Sequence, residues 1–215
     1  MDFRKWVAEQ DASDRKKRRK VQAGYQKYFA GYTTYRVKRK NGRGSKVIRI
    51  YTDPFMEHEL SDEDWKRQKL SFGILGFAAI AAYLFAALRD LPSNQWVGVS
   101  IFGSIGLAGM VFFGFYLVYY LISPRKMTHW TQNRSHRFLM IFSLVTGLDL
   151  ALTAILNLVF LLFLTSSRRG AELLNVLAYF VSAALLLWIW KRETDTTYGE
   201  TENDTEIPDY EEMIL

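Results

Sequence analysis

Four apolar stretches between Leu70 and Trp190, each of roughly 18 to 28 residues, constrain this chain more than any other feature. A hydrocarbon layer of about 30 Å is crossed by about 20 helical residues, so each stretch is long enough to span a bilayer. The mean hydropathy of -0.06 conceals them, because the flanking third of the chain is strongly polar. The expected fold class is therefore an all-α membrane protein: a four-transmembrane-helix bundle with a small basic N-terminal cytoplasmic region containing a β-hairpin.

The spans are read as 70–88, 95–122, 138–164 and 173–190. Lys69 and Arg89 bracket the first, and Trp96 with Tyr116, Tyr119 and Tyr120 marks the ends of the second, where amphipathic rings favour the water-lipid boundary. At 28 residues the second span exceeds the layer it crosses and must tilt or protrude. Trp188, Trp190, Lys191 and Arg192 anchor the end of the fourth. Orientation follows the cations. Nineteen Lys and Arg precede Leu70, and the loop from Ser123 to Arg137 adds four more, whereas the other two loops hold only Arg89, Arg168 and Arg169. Both termini are thus expected in the cytoplasm, at the cell membrane. The opening residues have no signal-peptide pattern, so the first span is expected to direct insertion.

Residues 1–60 carry a run of six cations, Arg15 to Lys20, which such density keeps solvated. Val21, Tyr25, Tyr28, Phe29 and Tyr32 recur at three- and four-residue spacing and predict an amphipathic helix over 21–31. Two runs rich in Tyr, Val, Ile and Thr flank Asn41-Gly42-Arg43-Gly44 and predict a hairpin over 33–53. With those four residues as the loop, Val37 faces Ile48, Tyr35 faces Ile50 and Arg36 meets Arg49, giving one apolar and one basic face. Ser61 and the acids Asp62, Glu63 and Asp64 then form a helix start that leads through Trp65 into the first span. Residues 61–192 make up the membrane bundle. The tail 193–215, with nine acids and no periodicity, is expected to be unstructured.

Asp149 is the one acid inside a span, and Thr146, Thr153 and Asn157 share its helical face at i-3, i+4 and i+8. Insertion costs about 2.5 to 3.5 kcal/mol for the aspartate, against about 0.3 to 0.6 regained per Leu, Ile, Phe or Val. Some eighteen of those surround it, so the span still inserts. The stripe reads either as a proton or cation site or as hydrogen bonding between helices. Ala78, Ala82 and Ala86, and Ser100, Ser104 and Ala108 beside Gly103, Gly106 and Gly109, form small-residue faces. These are expected to pack spans one and two together, with homo-oligomerisation as the alternative.

The hairpin cations Arg36, Lys38, Arg39, Lys40, Arg43, Lys46 and Arg49 are expected to meet anionic lipid headgroups or an acidic protein surface. Proximity to the bilayer makes headgroups a cheaper partner than nucleic acid, which is not expected. His58, His129 and His136 match no ligand spacing and read as surface residues, and no nucleophile, phosphate-loop or dinucleotide motif occurs. Cysteine is absent, which removes disulfides and thiolate metal sites. Neither a catalytic residue, a metal nor a cofactor is expected. Tyr210-Glu211-Glu212-Met213 has the shape of a sorting signal, a pattern common by chance. The function that emerges is a non-enzymatic multi-pass membrane subunit assembling with other membrane proteins or with itself. The alternative is a proton- or cation-coupled transporter or channel component using Asp149.

Overall fold

The structure is a computed structural model that describes residues 31–38, 45–163, 168–203 and 205. The predicted helix 21–31, the Arg15 to Lys20 run, the Asn41 to Gly44 loop and the end of the tail lie outside the described residues. The chain divides into two units, Met56–Glu200 and a smaller one formed by Met1–Phe55 with Thr201–Leu215.

In the larger unit, four helices are each long and apolar enough to cross a membrane. They are α1 (Asp62–Ala87), α3 (Val97–Ile122), α5 (Phe138–Phe163) and α6 (Arg169–Thr194), with a short α2 (Pro92–Gln95) between the first two. A short α4 (His129–Gln132) and a π-helical turn, Asn133–Arg137, run directly into α5, making 35 continuous helical residues. Helices α1 and α6 extend beyond the apolar runs, because helical hydrogen bonding continues into the flanking polar turns, whereas α3 begins two residues later than expected. At the start of α1, Ser61 Oγ accepts the Asp64 N–H at 3.2 Å and three acids fill the first turn, as the sequence predicted.

Each long helix buries a seam with spacings of three and four. On α1 it is Phe72, Gly76, Ala79, Tyr83 and Ala86; on α3 Gly106, Met110, Phe113, Leu117 and Tyr120. On α5 it is Leu139, Ser143, Thr146, Leu150, Thr153 and Asn157; on α6 Glu172, Val176, Tyr179, Ala183, Leu186, Ile189 and Glu193. This average period of 3.5 gives the side-by-side packing of bundles and coiled coils. Helix α6 packs between α1 and α5, α3 packs on α5, and the α1–α3 interface is the weakest of the four. Large apolar residues such as Leu70, Phe77, Ile105, Phe112, Leu148 and Leu162 face outward. The polar seam residues face inward, the distribution that lipid favours.

The small-residue faces are a correction. Ala78, Ser100, Ser104 and Ala108 are exposed and Ala82 is half-buried; of the expected face of α1 Ala86 alone is buried, beside Ala79. The glycines of α3 serve α5: a Cβ on Gly106 would stand 2.6 Å from Leu150 Cδ2, and one on Gly109 only 2.5 Å from Thr146 Oγ1. Both contacts are closer than a side chain tolerates, so glycine is what lets α3 and α5 approach.

A small sheet, ordered β4-β3-β5, caps the end of the bundle where the unit begins and ends. It comprises β3 (Phe55–His58), β4 (Lys126–Met127) and β5 (Tyr198–Thr201), with Met56 opposite Met127 and Glu57 opposite Lys126. Arg125 secures it, bonding Glu57 at 3.0 Å, Leu60 O at 2.8 Å and the Asp62 carboxylate. Helix α6 and β5 replace the unstructured start expected of the tail. Composition signals disorder only where a segment has no distant partner, and Tyr198 finds one.

In the smaller unit, β1 (Tyr32–Lys38) and β2 (Ser45–Tyr51) pair antiparallel. The hairpin is as predicted, but its register is not: Tyr35 faces Ile48, Val37 faces Lys46, and Arg36 faces Val47. The connection is six residues long, 39–44. A shift of two keeps every residue on its own face, so alternation alone cannot detect it. Tyr35, Val37, Ile48 and Ile50 remain half-buried on one side, and Arg36, Val47 and Arg49 exposed on the other. Gly31 enters β1 at φ +80°, and an added Cβ would stand 2.6 Å from Asp53 Oδ2, so glycine is required.

Candidate functional site

The stripe on α5 is buried but does not form one connected site. Thr146, Thr153 and Asn157 are inaccessible, and Asp149 is half-buried. Thr153 Oγ1 donates to the Asp149 backbone oxygen at 2.9 Å, a bond within its own helix. Thr146 Oγ1, Asp149 Oδ2 and both polar atoms of Asn157 are buried without a partner. Thr146 and Asp149 lie against Gly109 and Gly106 of α3. Nearby, Tyr83 donates to Gly103 O at 2.8 Å and meets Tyr179 at 6.1 Å between ring centres. A cavity of about 240 Å³ beside α1 and α3 is lined by Tyr83, Asn94, Ser100, Gly103 and Tyr179, and by none of the four stripe residues.

Of the hairpin cations, Arg36 and Arg49 are exposed on one face at neighbouring register positions. In the register Lys38 pairs with Ser45 and Lys46 with Val37. Arg39, Lys40 and Arg43 lie outside the described residues.

The densest polar chemistry gathers at the sheet-capped end of the bundle. The π turn contains five residues where an α turn would contain fewer, and this turns two successive side chains, Ser135 and His136, into the interior. The last turn of α6 brings Glu193 against His136, with Nδ1 to Oε1 at 2.8 Å. Tyr198 of β5 donates to the same Oε1 at 2.7 Å and also contacts His136 Nδ1. Gln68 of α1 donates from Nε2 to Thr196 Oγ1 at 3.1 Å and to Tyr120 OH at 3.3 Å, with a longer approach of 3.5 Å to Glu193 Oε2. The Glu193 carboxylate is the acceptor on which these donors converge.

This geometry fixes where protons sit. With Nδ1 facing a carboxylate, the imidazole carries a proton there, so Nε2 is the atom left to act. Nε2 is buried and unpartnered. His136, Glu193, Tyr198, Arg137 and Asn133 line a cavity of about 260 Å³. Burial, followed by the charge of Glu193, pushes the Tyr198 hydroxyl well above the ordinary phenol range, so it stays protonated and donating. His58 on β3 stacks at 4.4 Å from Trp65 and 4.8 Å from Tyr198. Burial lowers its pKa to about 4, assisted by His136 and Arg125, and neither ring nitrogen has a partner. The cluster therefore sets a buried His136–Glu193 contact beside the neutral imidazole of His58. Among the described residues no group of three His, Cys, Asp or Glu is placed to hold a metal ion.

Here the sequence reading is corrected: His58 and His136 are interior, not surface, residues. Glu193 carried a usable signal. An acid in the last turn of a helix opposes the helix dipole, which implies a specific partner elsewhere. Compared with family models, curated proteins and solved structures, the chain matches none.

Proposed function

We propose that this chain is a non-enzymatic multi-pass subunit of the cell membrane, with both ends cytoplasmic, that assembles with other membrane helices through the outward side of α3. One observation carries this reading: α3 is the least buried of the four long helices, and Ser100, Ser104 and Ala108 lie on its exposed side. A small-residue line on a lipid-facing helix allows a second helix to approach closely, whether from another protein or a second copy. The chain has no cysteine, so Ser104→Cys is a clean single-site probe. In native membranes it should give a defined crosslinked species, and Ser104→Leu should release the crosslinked neighbour while the bundle stays folded. Absence of a crosslink, together with an unchanged set of co-purifying proteins in Ser104→Leu, would reject the reading.

The exposed Arg36 and Arg49 support a role for the hairpin on anionic headgroups or an acidic partner surface. Each cation near such a membrane contributes roughly 1 kcal/mol. Arg36→Glu with Arg49→Glu should lower recovery of the protein's soluble region on anionic vesicles, and equal recovery would assign the hairpin to a protein partner.

The unpartnered Asp149 Oδ2 favours a second reading, a proton- or cation-coupled transporter or channel component. In that case reconstituted vesicles should show an ion-dependent flux that Asp149→Asn abolishes.

A further inference from the structure

At the opposite end of the bundle, beside the α1–α3 connection, a second polar group is sealed from solvent. Ser93, Glu172 and Asn175 have no exposed surface. Glu172 and Asn175 lie one turn apart on α6, and Ser93 and Asn94 belong to α2. Glu172 Oε1 accepts the Ser93 backbone N–H at 3.3 Å, and Asn175 Nδ2 donates to Asn94 Oδ1 at 2.9 Å, so both α6 side chains bond directly to successive residues of α2.

The hydrogen bonds dictate which atoms remain. Asn94 Nδ2 donates to Ala86 O at 2.9 Å and Arg89 O at 2.8 Å. Two carbonyls can be satisfied only by an amide nitrogen, so Asn94 must present its oxygen to Asn175. Asn175 must then answer with its nitrogen, which leaves its own oxygen pointing elsewhere. Three oxygens are thereby left buried and unpartnered: Glu172 Oε2, Asn175 Oδ1 and Ser93 Oγ. Arg89 is committed elsewhere: it donates to Ala171 O at 3.3 Å and lies 5.0 Å over the Phe85 ring. No ion pair to Glu172 occurs among the described residues. A buried carboxylate without compensation is among the least favourable arrangements a protein can hold.

We propose that Glu172 Oε2, Asn175 Oδ1 and Ser93 Oγ are ligands of a hard monovalent cation, of which Na⁺ is the probe. A carboxylate, an amide carbonyl and a hydroxyl are the donor types that hard cations select. The single carboxylate balances one positive charge, whereas a divalent ion would leave an uncompensated charge in the same dry volume. Bound there, the cation joins α2 to the first turn of α6 and so links two connections at this end of the bundle. The site lies within one chain and does not rest on the assembly reading.

The test uses the full-length protein in mild detergent at constant ionic strength, with choline replaced stepwise by Na⁺. The unfolding temperature should rise and saturate, by about 4 °C at ten times Kd. Equilibrium dialysis with radioactive Na⁺ should approach one ion per chain. Glu172→Gln should abolish both responses. Ser93→Ala is the second variant and guards against a folding defect in the first: deleting an unpartnered hydroxyl leaves stability in choline unchanged or higher. As a lost ligand it should still weaken Na⁺ affinity several-fold. A wild-type protein indifferent to Na⁺, K⁺ and Li⁺, or a Na⁺ response equal in wild type and Ser93→Ala, would overturn the proposal. So would stabilisation by acid alone, which would mean that Glu172 is protonated and bonded to Asn175.

Discussion

His58 is buried with both ring nitrogens unpartnered, and its pKa in the folded chain is about 4 against an ordinary 6.5. Between those values the unfolded chain binds a proton that the folded chain does not, so stability falls as pH drops from 6.5 towards 4 and is untouched above 6.5. The full gap corresponds to roughly 3 kcal/mol. His58→Phe keeps a ring between Trp65 and Tyr198, removes two orphaned polar atoms, and has no proton to bind. Its unfolding temperature should fall less than that of the wild type between pH 7.5 and pH 5, and equal falls would show that His58 does not titrate on unfolding. In the sequence, Glu57-His58-Glu59 reads as a polar surface segment if taken as helix. In a strand the same triplet alternates, and the middle residue turns inward while its neighbours turn out. What sequence spacing could not supply was the partners, since Trp65 is near in the chain but Tyr198 lies 140 residues away.

Which side of α3 faces inward decides how the long helices fit. Gly109→Val would press branched carbons into Thr146, where even a Cβ is 2.5 Å from Oγ1 and 3.0 Å from Cγ2. Overpacking of this kind costs about 2 kcal/mol, or roughly 6 °C in unfolding temperature for a chain of this size. Ala108→Leu, one residue away on the exposed side, should leave that temperature unchanged in detergent. A reversed order of effects in thermal unfolding would mean that α3 is rotated. The existence and approximate extent of the four helices were legible, because long uncharged runs such as 70–88 have few alternatives. Their facing was not. In a lipid-exposed bundle both the core and the exterior are apolar, so hydropathy does not mark the inward side. The inward side is marked instead by polar residues at three- and four-residue spacing, as with Ser143, Thr146, Thr153 and Asn157 on α5. Of the stripe expected from the sequence, Thr146, Thr153 and Asn157 are buried and Asp149 is half-buried, whereas Ser100, Ser104 and Ala108 face outward. Small residues fit either a packed interface or an outer face awaiting a partner, and only the glycines between them distinguish the two.

Across the whole molecule, charge separates the two ends of the bundle. Lys66, Arg67, Arg125, Lys126, Arg134, Arg137, Lys191 and Arg192 cluster at the sheet-capped end, and Arg89, Arg168 and Arg169 at the other. Cations beside short loops resist translocation, so the richer end should stay in the cytoplasm. An even number of crossings then puts the hairpin and the tail in that same compartment, where β3 and β5 already share one sheet. Two single-cysteine variants test this frame. Gly170 is exposed, and a Cβ there meets nothing within 4 Å; Glu63 is exposed in the first turn of α1. On intact cells a membrane-impermeant maleimide should label Gly170→Cys at once and Glu63→Cys only after permeabilisation. Inverse labelling would reverse the orientation while leaving four crossings. Labelling of both positions from outside would break the scheme, because α1, α3 and α5 lie between them and could not then all cross. The expected labelling, with α6 crossing as well, puts the His136–Glu193 cluster and the Glu172 oxygens on opposite sides of the membrane, because the full length of α6 separates Glu193 from Glu172.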